Sequence, residues 1–171
     1  MRSDYAGEAA IIYFAAPLFT QAEWHWNARL VRVLRDAGLN VFLPQESALP
    51  MLAGAVAFDP ASLFRGNVDA LRSAAAILAV LDQADPDSGV CWECGYACAL
   101  GIPVIGIRTD FRGAGDDHDP SGRQSLNLML ARSCTEIVLL AAGERDDLPA
   151  LAGRVLAAIA SCFAPAASQP P

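Results

Sequence analysis

The stretch of sequence that decides the fold is AAAILAVLDQADPDSGVCWECGYACALG, residues 74–101. It begins with a continuous apolar run at residues 74–82, of the kind that forms a strand buried on both faces of a parallel sheet. A loop rich in aspartate follows, and a helix is predicted to begin near Ser88-Gly89. This helix carries Glu93 in a segment of alanine, glycine and cysteine with few other charges. A carboxylate at this junction of loop and helix is a candidate nucleophile or general base.

Strands and helices alternate on both sides of this stretch. Apolar runs predict five short strands, at residues 10–15, 41–43, 77–81, 103–107 and 137–140. Alternating apolar strands and helices are typical of a doubly wound parallel sheet, because the crossovers place helices on both faces. We therefore predict a flavodoxin-like α/β fold with a five-stranded parallel sheet. In that fold the strand order reverses between the first and third strands, which places Glu93 beside the ligand crevice.

Local start signals predict the helices between these strands. Thr20 and Glu23 form a capping box for the first helix, and Asp59 before Pro60 is a favourable cap for the second. Further helices are predicted at residues 125–131 and 147–163, in addition to the helix that carries Glu93. Residues 45–58 and 109–124 are predicted as loops.

Composition restricts the class of protein. The chain has 171 residues and 54% hydrophobic content, which suits one domain at residues 1–163 followed by a flexible tail at 164–171. The net charge of −7 disfavours nucleic acid or an anionic membrane as a partner. All twelve basic residues are arginine, which excludes Schiff-base chemistry and the lysine of a phosphate-binding loop.

Targeting signals and ligand clusters are also informative. No apolar run reaches the roughly 20 residues of a membrane span, and the apolar residues 9–19 lack the cleavage site of a signal peptide. The five cysteines are odd in number and lack the spacing of a disulfide framework. We therefore expect a cytoplasmic protein. Asp82, Asp85 and Asp87 are not spaced like a calcium loop, and neither a metal nor another cofactor is predicted.

Spacing alone leaves two interpretations of Glu93 open. In the first turn of its helix, the helix dipole would favour an ionised carboxylate that can attack an electrophilic carbon, as in retaining glycosyl transfer. Alternatively, Glu93 only complements the dipole.

Two other features of the sequence also allow more than one interpretation. Cys91 and Cys94 could be a redox motif or could pack the helix, and packing is favoured. Tyr13 on the first strand needs a partner for its hydroxyl, and Glu93 is a candidate across the switch point.

Three segments resemble the nucleoside 2-deoxyribosyltransferase family. IYFAAPLF, residues 12–19, is similar to the opening strand and loop of the family. PDSGVCWECGYACALGIPVIG, residues 86–106, is similar to its central Asp-x-Gly-x-x-x-Glu-x-Gly-Tyr-Ala signature. Residues 127–129, Asn-Leu-Met, are similar to a late element of the family. The resemblance implies an enzyme that moves 2-deoxyribose between nucleobases through a covalent intermediate, with deoxynucleosides and nucleobases as its small-molecule partners.

The resemblance also implies a role for each matching residue. Glu93 would be the nucleophile that holds the 2-deoxyribosyl group, and Tyr13 would orient its carboxylate. Asp87 would bind sugar hydroxyls, and Asn127 would reach the sugar from a neighbouring subunit, which implies self-association. Further substrate contacts are expected from three other residues of the matching segments: Phe19, Ser88 and Gly89.

Asn67 departs from the family pattern, because many members have an aspartate there that contacts the nucleobase. An asparagine can hydrogen-bond a base but cannot protonate it. Two alternatives to transfer remain open, namely an N-glycosidase that uses water as the acceptor and a non-catalytic nucleotide-binding domain. The loop at residues 15–21, AAPLFTQ, is uncharged, which favours an unphosphorylated nucleoside over a 5′-monophosphate.

Overall fold

A single parallel sheet organises the computed structural model, which describes residues 10–110, 126–140 and 147–163. Its strands are β1 (Ile11–Ala15), β2 (Asn40–Phe42), β3 (Ala76–Val80), β4 (Val104–Arg108) and β5 (Glu136–Leu139). Their order across the sheet is β2-β1-β3-β4-β5, and every neighbouring pair is parallel. The strand order therefore reverses between β1 and β3, which confirms the predicted flavodoxin-like α/β fold and the position of its crevice.

Helices cover both faces of this sheet. They are α1 (Gln21–Asp36), α2 (Pro44–Leu52), α3 (Pro60–Ser73), α4 (Ser88–Ala99), α5 (Leu128–Ser133) and α6 (Leu148–Phe163). Helices α1 and α6 pack against each other and contribute to one hydrophobic core. Helices α3, α4 and α5 contribute to a second core on the opposite face. The predicted arrangement of helices on both faces is confirmed.

The first strand divides its side chains between the two cores. Ile12 and Phe14 are buried with α1 and α6, whereas Tyr13 and Ala15 are buried with α3 and α4. Successive side chains of a strand point to opposite faces, so this division follows from the period of two. Tyr13 lies on the same side of the sheet as α4.

The predicted helix starts are confirmed where a side chain caps the helix. The Thr20–Glu23 capping box is present with both of its hydrogen bonds, and Gly38 follows the end of α1 with a φ of 95°. Asp59 accepts hydrogen bonds from the N–H groups of Ala61 and Ser62 at the start of α3. These caps are local signals and do not depend on the rest of the fold.

The prediction of a loop at residues 45–58 is wrong, because α2 begins at Pro44 and ends at Leu52. Leu43 is the N-cap and makes no side-chain cap hydrogen bond, so the usual start signal is missing. Pro44 lies two residues after the end of β2, and proline is favourable in the first turn of a helix.

Several predictions fall on residues outside the described ranges, namely the tail at 164–171 and residues 111–124 of the predicted polar loop. The helix predicted at residues 125–131 is observed a few residues later, as α5, because Asn127 caps it. Within the described ranges, none of the helices has the length and apolar character that crossing a bilayer requires.

Candidate active site

Tyr13 and Glu93 meet at the switch point between β1 and β3. The Tyr13 hydroxyl donates a hydrogen bond to Glu93 Oε1 with an O–O distance of 2.5 Å. Tyr13 is completely buried and its ring stacks on Phe42 of the neighbouring strand at a centroid distance of 5.5 Å. The predicted partnership of these two side chains is therefore confirmed, and the phenol is held in place by packing on β2.

The position of Glu93 on its helix differs from the prediction. Asp87 is the N-cap of α4 and the helix begins at Ser88, so Glu93 lies in the second turn, and the first turn has no acidic residue. The dipole effect is confined to the terminal turn, so it does not govern Glu93. The expectation that this carboxyl favours its ionised form is also wrong, because burial raises its pKa to about 7.

Two neighbours modify the pKa of Glu93 beyond the effect of burial. The hydrogen bond from Tyr13 lowers it, whereas the negative charge of Asp87 raises it further. Burial is the largest of these effects. Burial and the nearby Glu93 charge raise the pKa of the Tyr13 phenol, which therefore remains a hydrogen-bond donor at neutral pH. The site combines a protonated phenol with a carboxyl that titrates near neutrality.

Asp87, Ser88 and Gly89 form the start of α4. Asp87 Oδ1 accepts hydrogen bonds from the N–H groups of Gly89, at 2.9 Å, and Val90, at 3.0 Å. A Cβ atom at Gly89 would lie 3.0 Å from Asp87 Oδ1, which explains why the smallest residue suits this position. Because both cap bonds use Oδ1, the cap does not occupy Oδ2 of Asp87.

Asn67 lies on α3, which packs against both α4 and β1. Its side-chain Oδ1 is buried and has no hydrogen-bond partner among the residues that the structure describes. An unpaired buried carbonyl oxygen costs about 1–3 kcal/mol, so a donor on a bound molecule would stabilise it. The prediction that Asn67 contacts a ligand remains untested, and this unpaired oxygen supports it.

Phe19 lies in the loop after β1 and is 76% exposed. The loop itself is held by α1, because Asn27 Nδ2 donates to the carbonyl of Pro17 at 2.9 Å and the Trp24 indole donates to the carbonyl of Leu18. The same Asn27 amide donates to Gln45 Oε1 at 3.1 Å, and both amides are buried. The loop after β1 is therefore fixed at its base, next to the crevice.

Sequence reasoning missed the role of Asn27 and Gln45 in holding this loop. The available signal was the spacing of Asn27 from Leu30, Val31 and Leu34, which places a polar residue on the buried stripe of α1. A buried amide needs partners, so a structural role follows from that spacing. The acceptors themselves could not be identified without the fold.

Asn127 lies on the other side of α4 from Glu93. It is the N-cap of α5, and its Oδ1 accepts a hydrogen bond from the N–H of Met129 at 3.0 Å. It borders a cavity of about 560 Å³ to which α4 contributes Cys91, Gly95 and Cys98. These three residues lie roughly 140° to 160° around the helix from Glu93. Within one chain, the structure does not bring Asn127 to Glu93.

Cys91 and Cys94 of α4 pack against the second core. All five cysteines of the chain are free thiols, and Cys94 is buried against the sheet. Burial raises the pKa of both Cys91 and Cys94, so neither is a reactive thiolate at neutral pH. In the described part of the chain, no group of three or more histidine, cysteine or acidic residues is placed to hold a metal ion.

The fold and the site together define an α/β protein with an ionisable carboxyl at the switch point of a doubly wound sheet. The chain belongs to the nucleoside 2-deoxyribosyltransferase family, whose sequence profile matches residues 12–129. This range contains Tyr13, Asn67, Glu93 and Asn127, and members of the family act enzymatically on nucleosides and nucleobases. A search of curated proteins gives no significant match.

Solved structures share the fold. The 2-deoxyribosyltransferase of the psychrotolerant bacterium Bacillus psychrosaccharolyticus is 25% identical with a TM-score of 0.62, and the match covers 88% of this chain and 96% of that one. The 2-deoxyribosyltransferase of Leishmania mexicana is 26% identical with a TM-score of 0.54, over 71% of this chain and 85% of that one. The CMP N-glycosidase of Clostridium botulinum, 13% identical with a TM-score of 0.56 over 86% and 98% of the two chains, shows the fold alone.

Proposed function

We propose that this protein transfers 2-deoxyribose between nucleobases through a covalent intermediate on Glu93. The observation that carries the proposal is the 2.5 Å contact between Tyr13 and Glu93 at the switch point of the sheet. Ligands bind at this position in doubly wound sheets, and the chain belongs to a family of deoxyribosyl-transferring enzymes. Glu93 is the nucleophile, and Tyr13 orients it.

In the first step the ionised Glu93 carboxylate attacks the anomeric carbon of the deoxynucleoside. A new bond forms between a Glu93 oxygen and that carbon, and the glycosidic bond to the base breaks with its electron pair going to the base. Tyr13 binds Oε1, so Oε2 is the oxygen suited to attack. In the second step a nitrogen of the incoming base attacks the same carbon and the carboxylate leaves. Two displacements retain the configuration of the sugar.

A 2-deoxy sugar suits a site with so few charged groups. Positive charge develops at the anomeric carbon in the transition state, and an electron-withdrawing 2-hydroxyl would oppose it. Without that hydroxyl, a placed carboxylate supplies most of the stabilisation that is required. Near pH 7 Glu93 is ionised in part, and this ionised fraction supplies the carboxylate that attacks.

The residues around the carboxylate are assigned to substrate binding. Asp87 offers its Oδ2 to a sugar hydroxyl, and Ser88 and Gly89 border the sugar at the start of α4. Phe19 extends from the anchored loop after β1 and contacts the substrate, and Asn67 offers its unpaired Oδ1 to a donor on the nucleobase. The uncharged loop at residues 15–21 suits an unphosphorylated nucleoside.

Asn127 completes the site of a neighbouring subunit. It is separated from Glu93 of its own chain by the width of α4, so a contribution to catalysis requires a second copy. Two apolar side chains lie beside Asn127 in the sequence: Leu128 is 43% exposed and Met129 is 77% exposed in the single chain. Covering them would favour self-association at this end of α5.

The proposal is tested by incubating the protein with deoxyinosine, with and without adenine, and separating the products by chromatography. Deoxyadenosine that forms only when adenine is present supports transfer. Free deoxyribose in both incubations would identify an N-glycosidase instead. No turnover in either incubation would favour a non-catalytic nucleotide-binding domain and would contradict the proposal.

A further inference from the structure

Arg108, the last residue of β4, is a buried cation that binds the backbone leading to α4. It is 2% exposed, and its Nη1 donates to the carbonyl oxygens of Leu81, at 2.5 Å, and Gln83, at 3.1 Å. Leu81 immediately follows β3, and Gln83 begins the loop that leads to α4. A single guanidinium can bind two carbonyls in this way because its donors are fixed in one plane.

Gln83 has a backbone conformation that is unfavourable for its residue type. Its φ is 82°, and it is the only non-glycine residue with a positive φ in the described ranges. Such conformations persist only where surrounding contacts hold them, and they concentrate at functional sites. The contacts here come from both sides, since Arg108 binds the Gln83 carbonyl and Asp110 Oδ2 accepts from the Gln83 N–H at 3.2 Å.

Asp82 completes the connection between the two strand ends. Its Oδ1 accepts from the N–H groups of Thr109, at 2.6 Å, and Asp110, at 2.8 Å, while its Oδ2 accepts from the Thr109 hydroxyl at 2.5 Å. Residues 81–83 are therefore tied to residues 108–110 by side chains from both segments. We call these two segments together the strand-end clamp.

The clamp lies directly upstream of the site. Three residues separate Gln83 from Asp87, whose Oδ1 caps α4 and whose charge acts on Glu93. A change in the path of this loop would move the cap, and the cap fixes where α4 begins. Because Glu93 lies in the second turn of α4, both the burial of its carboxyl and its distance from the Tyr13 hydroxyl would then change.

We propose that Arg108 is a positioning residue for the reaction, holding Gln83 in its left-handed conformation so that α4 presents Glu93 to Tyr13. The proposal rests on the proposed function for its kinetic consequences. Its structural consequence, the environment of the Glu93 carboxyl, can be measured whether or not the protein turns over a nucleoside.

The kinetic test compares Arg108→Met with a control at an exposed arginine, Arg154→Met. Arg154 also donates to a carbonyl at a strand end, that of Leu139, but on β5 and away from Glu93. We expect Arg108→Met to lower kcat by roughly 100-fold, the scale of effect that a 1 Å misplacement of a reacting group has, with a smaller change in KM. The Arg154→Met variant should keep the kcat of the unmodified protein.

The structural test follows the Glu93 carboxyl by ¹³C NMR. The chain has six glutamates, and the Glu93 signal is assigned by its loss in Glu93→Gln. In the unmodified protein and in Arg154→Met this signal should titrate near pH 7. In Arg108→Met it should titrate at lower pH, because a displaced carboxyl is better solvated. Arg108→Lys keeps the positive charge on a single donor nitrogen and should give an intermediate result. It replaces the methionine variant if that variant does not fold.

The outcomes separate the two proposals. A Glu93 signal that titrates at the same pH in the Arg108 variants as in Arg154→Met would overturn the positioning role, even if the Arg108 variants are less stable to heat. A shifted signal in a protein that turns over no nucleoside would support the positioning role and contradict the proposed function.

Discussion

Tyr13 and Glu93 are 80 residues apart in the sequence, yet the phenol and the carboxyl are joined by a hydrogen bond of 2.5 Å. One residue belongs to the first strand and the other to the helix after the third strand, so the contact spans the point where the strand order reverses. Tyr13 stabilises the carboxylate, whereas the burial of Glu93 opposes ionisation. The balance gives a carboxyl that is ionised in part near neutrality.

This balance predicts the pH dependence of turnover. The pKa of Glu93 is raised to about 7, and only the ionised form attacks, so activity should increase as the pH rises through this value. Below about pH 6, kcat/KM should fall roughly tenfold for each further pH unit, as expected for one essential ionised group. The measurement is kcat/KM for deoxyinosine across the pH range. A rate that stays level down to about pH 5 would contradict the account.

Removing the Tyr13 hydroxyl should weaken the nucleophile without unfolding the protein. A hydrogen bond to a charged group contributes about 1.5–3 kcal/mol, so Tyr13→Phe should lower kcat by roughly 10- to 100-fold. The same change should shift the acid limb of the pH profile to higher pH, because the Tyr13 hydrogen bond lowers the pKa of Glu93.

A tyrosine on α4, Tyr96, provides the control for Tyr13→Phe. Tyr96 lies one turn after Glu93 on α4, and its hydroxyl accepts a hydrogen bond from Arg72 of α3 at 2.6 Å. Tyr96→Phe removes an equivalent atom and should leave kcat and the pH profile unchanged. Equal losses in the two variants would show that the Tyr13 hydroxyl has no special relationship with Glu93.

Replacing Asn67 with aspartate should change how readily the leaving base is protonated. Asn67→Asp supplies a group that can donate a proton to the base, which an amide cannot do. We expect a higher rate or a changed preference among nucleobases, measured by comparing kcat/KM for several deoxynucleosides. Asn67→Ala, which removes the unpaired Oδ1, should not reproduce the gain. An unchanged preference in Asn67→Asp would show that another group protonates the base.

A site shared between subunits predicts complementation. Neither Glu93→Ala nor Asn127→Ala should be active alone, because each lacks one half of every site. Mixed and allowed to exchange subunits, the two variants should regain part of the activity, since some sites then combine an intact Glu93 with an intact Asn127. Mixing each variant with itself is the control. Activity of Asn127→Ala alone equal to that of the unmodified protein would contradict the shared site.

The sheet and most helices could be predicted because their signals are local. Thr20 and Asp59 cap helices through bonds to residues two or three positions away, and these bonds do not depend on tertiary structure. Helix α2 could not be predicted in the same way, since Leu43 makes no cap bond and is the only residue between β2 and the helix. Gln45 is buried there against α1, where its side chain accepts a hydrogen bond from Asn27 and donates one to the carbonyl of Trp24.

The contact between Tyr13 and Glu93 could be predicted from the sequence, whereas its electrostatics could not. The meeting of Tyr13 and Glu93 follows from strand order, which the alternation of elements predicts. The pKa of Glu93 depends on how deeply α4 packs. The sequence places Glu93 in the first turn of the helix, where the dipole would lower this pKa, whereas in the structure Glu93 lies in the second turn and burial raises it. The left-handed conformation of Gln83 has no sequence signal, because glycine or asparagine would ordinarily mark it.

The central claim is that Glu93 carries the 2-deoxyribosyl group between bases. The most direct measurement is intact mass spectrometry of the protein mixed with deoxyinosine and quenched rapidly in acid, followed by peptide mapping. We predict a mass increase of one 2-deoxyribosyl residue, located on the peptide that contains Glu93. This increase should disappear when adenine is added before quenching. Glu93→Ala should show no such increase. Steady formation of deoxyadenosine with no adduct on Glu93, or with the adduct on another residue, would contradict the account.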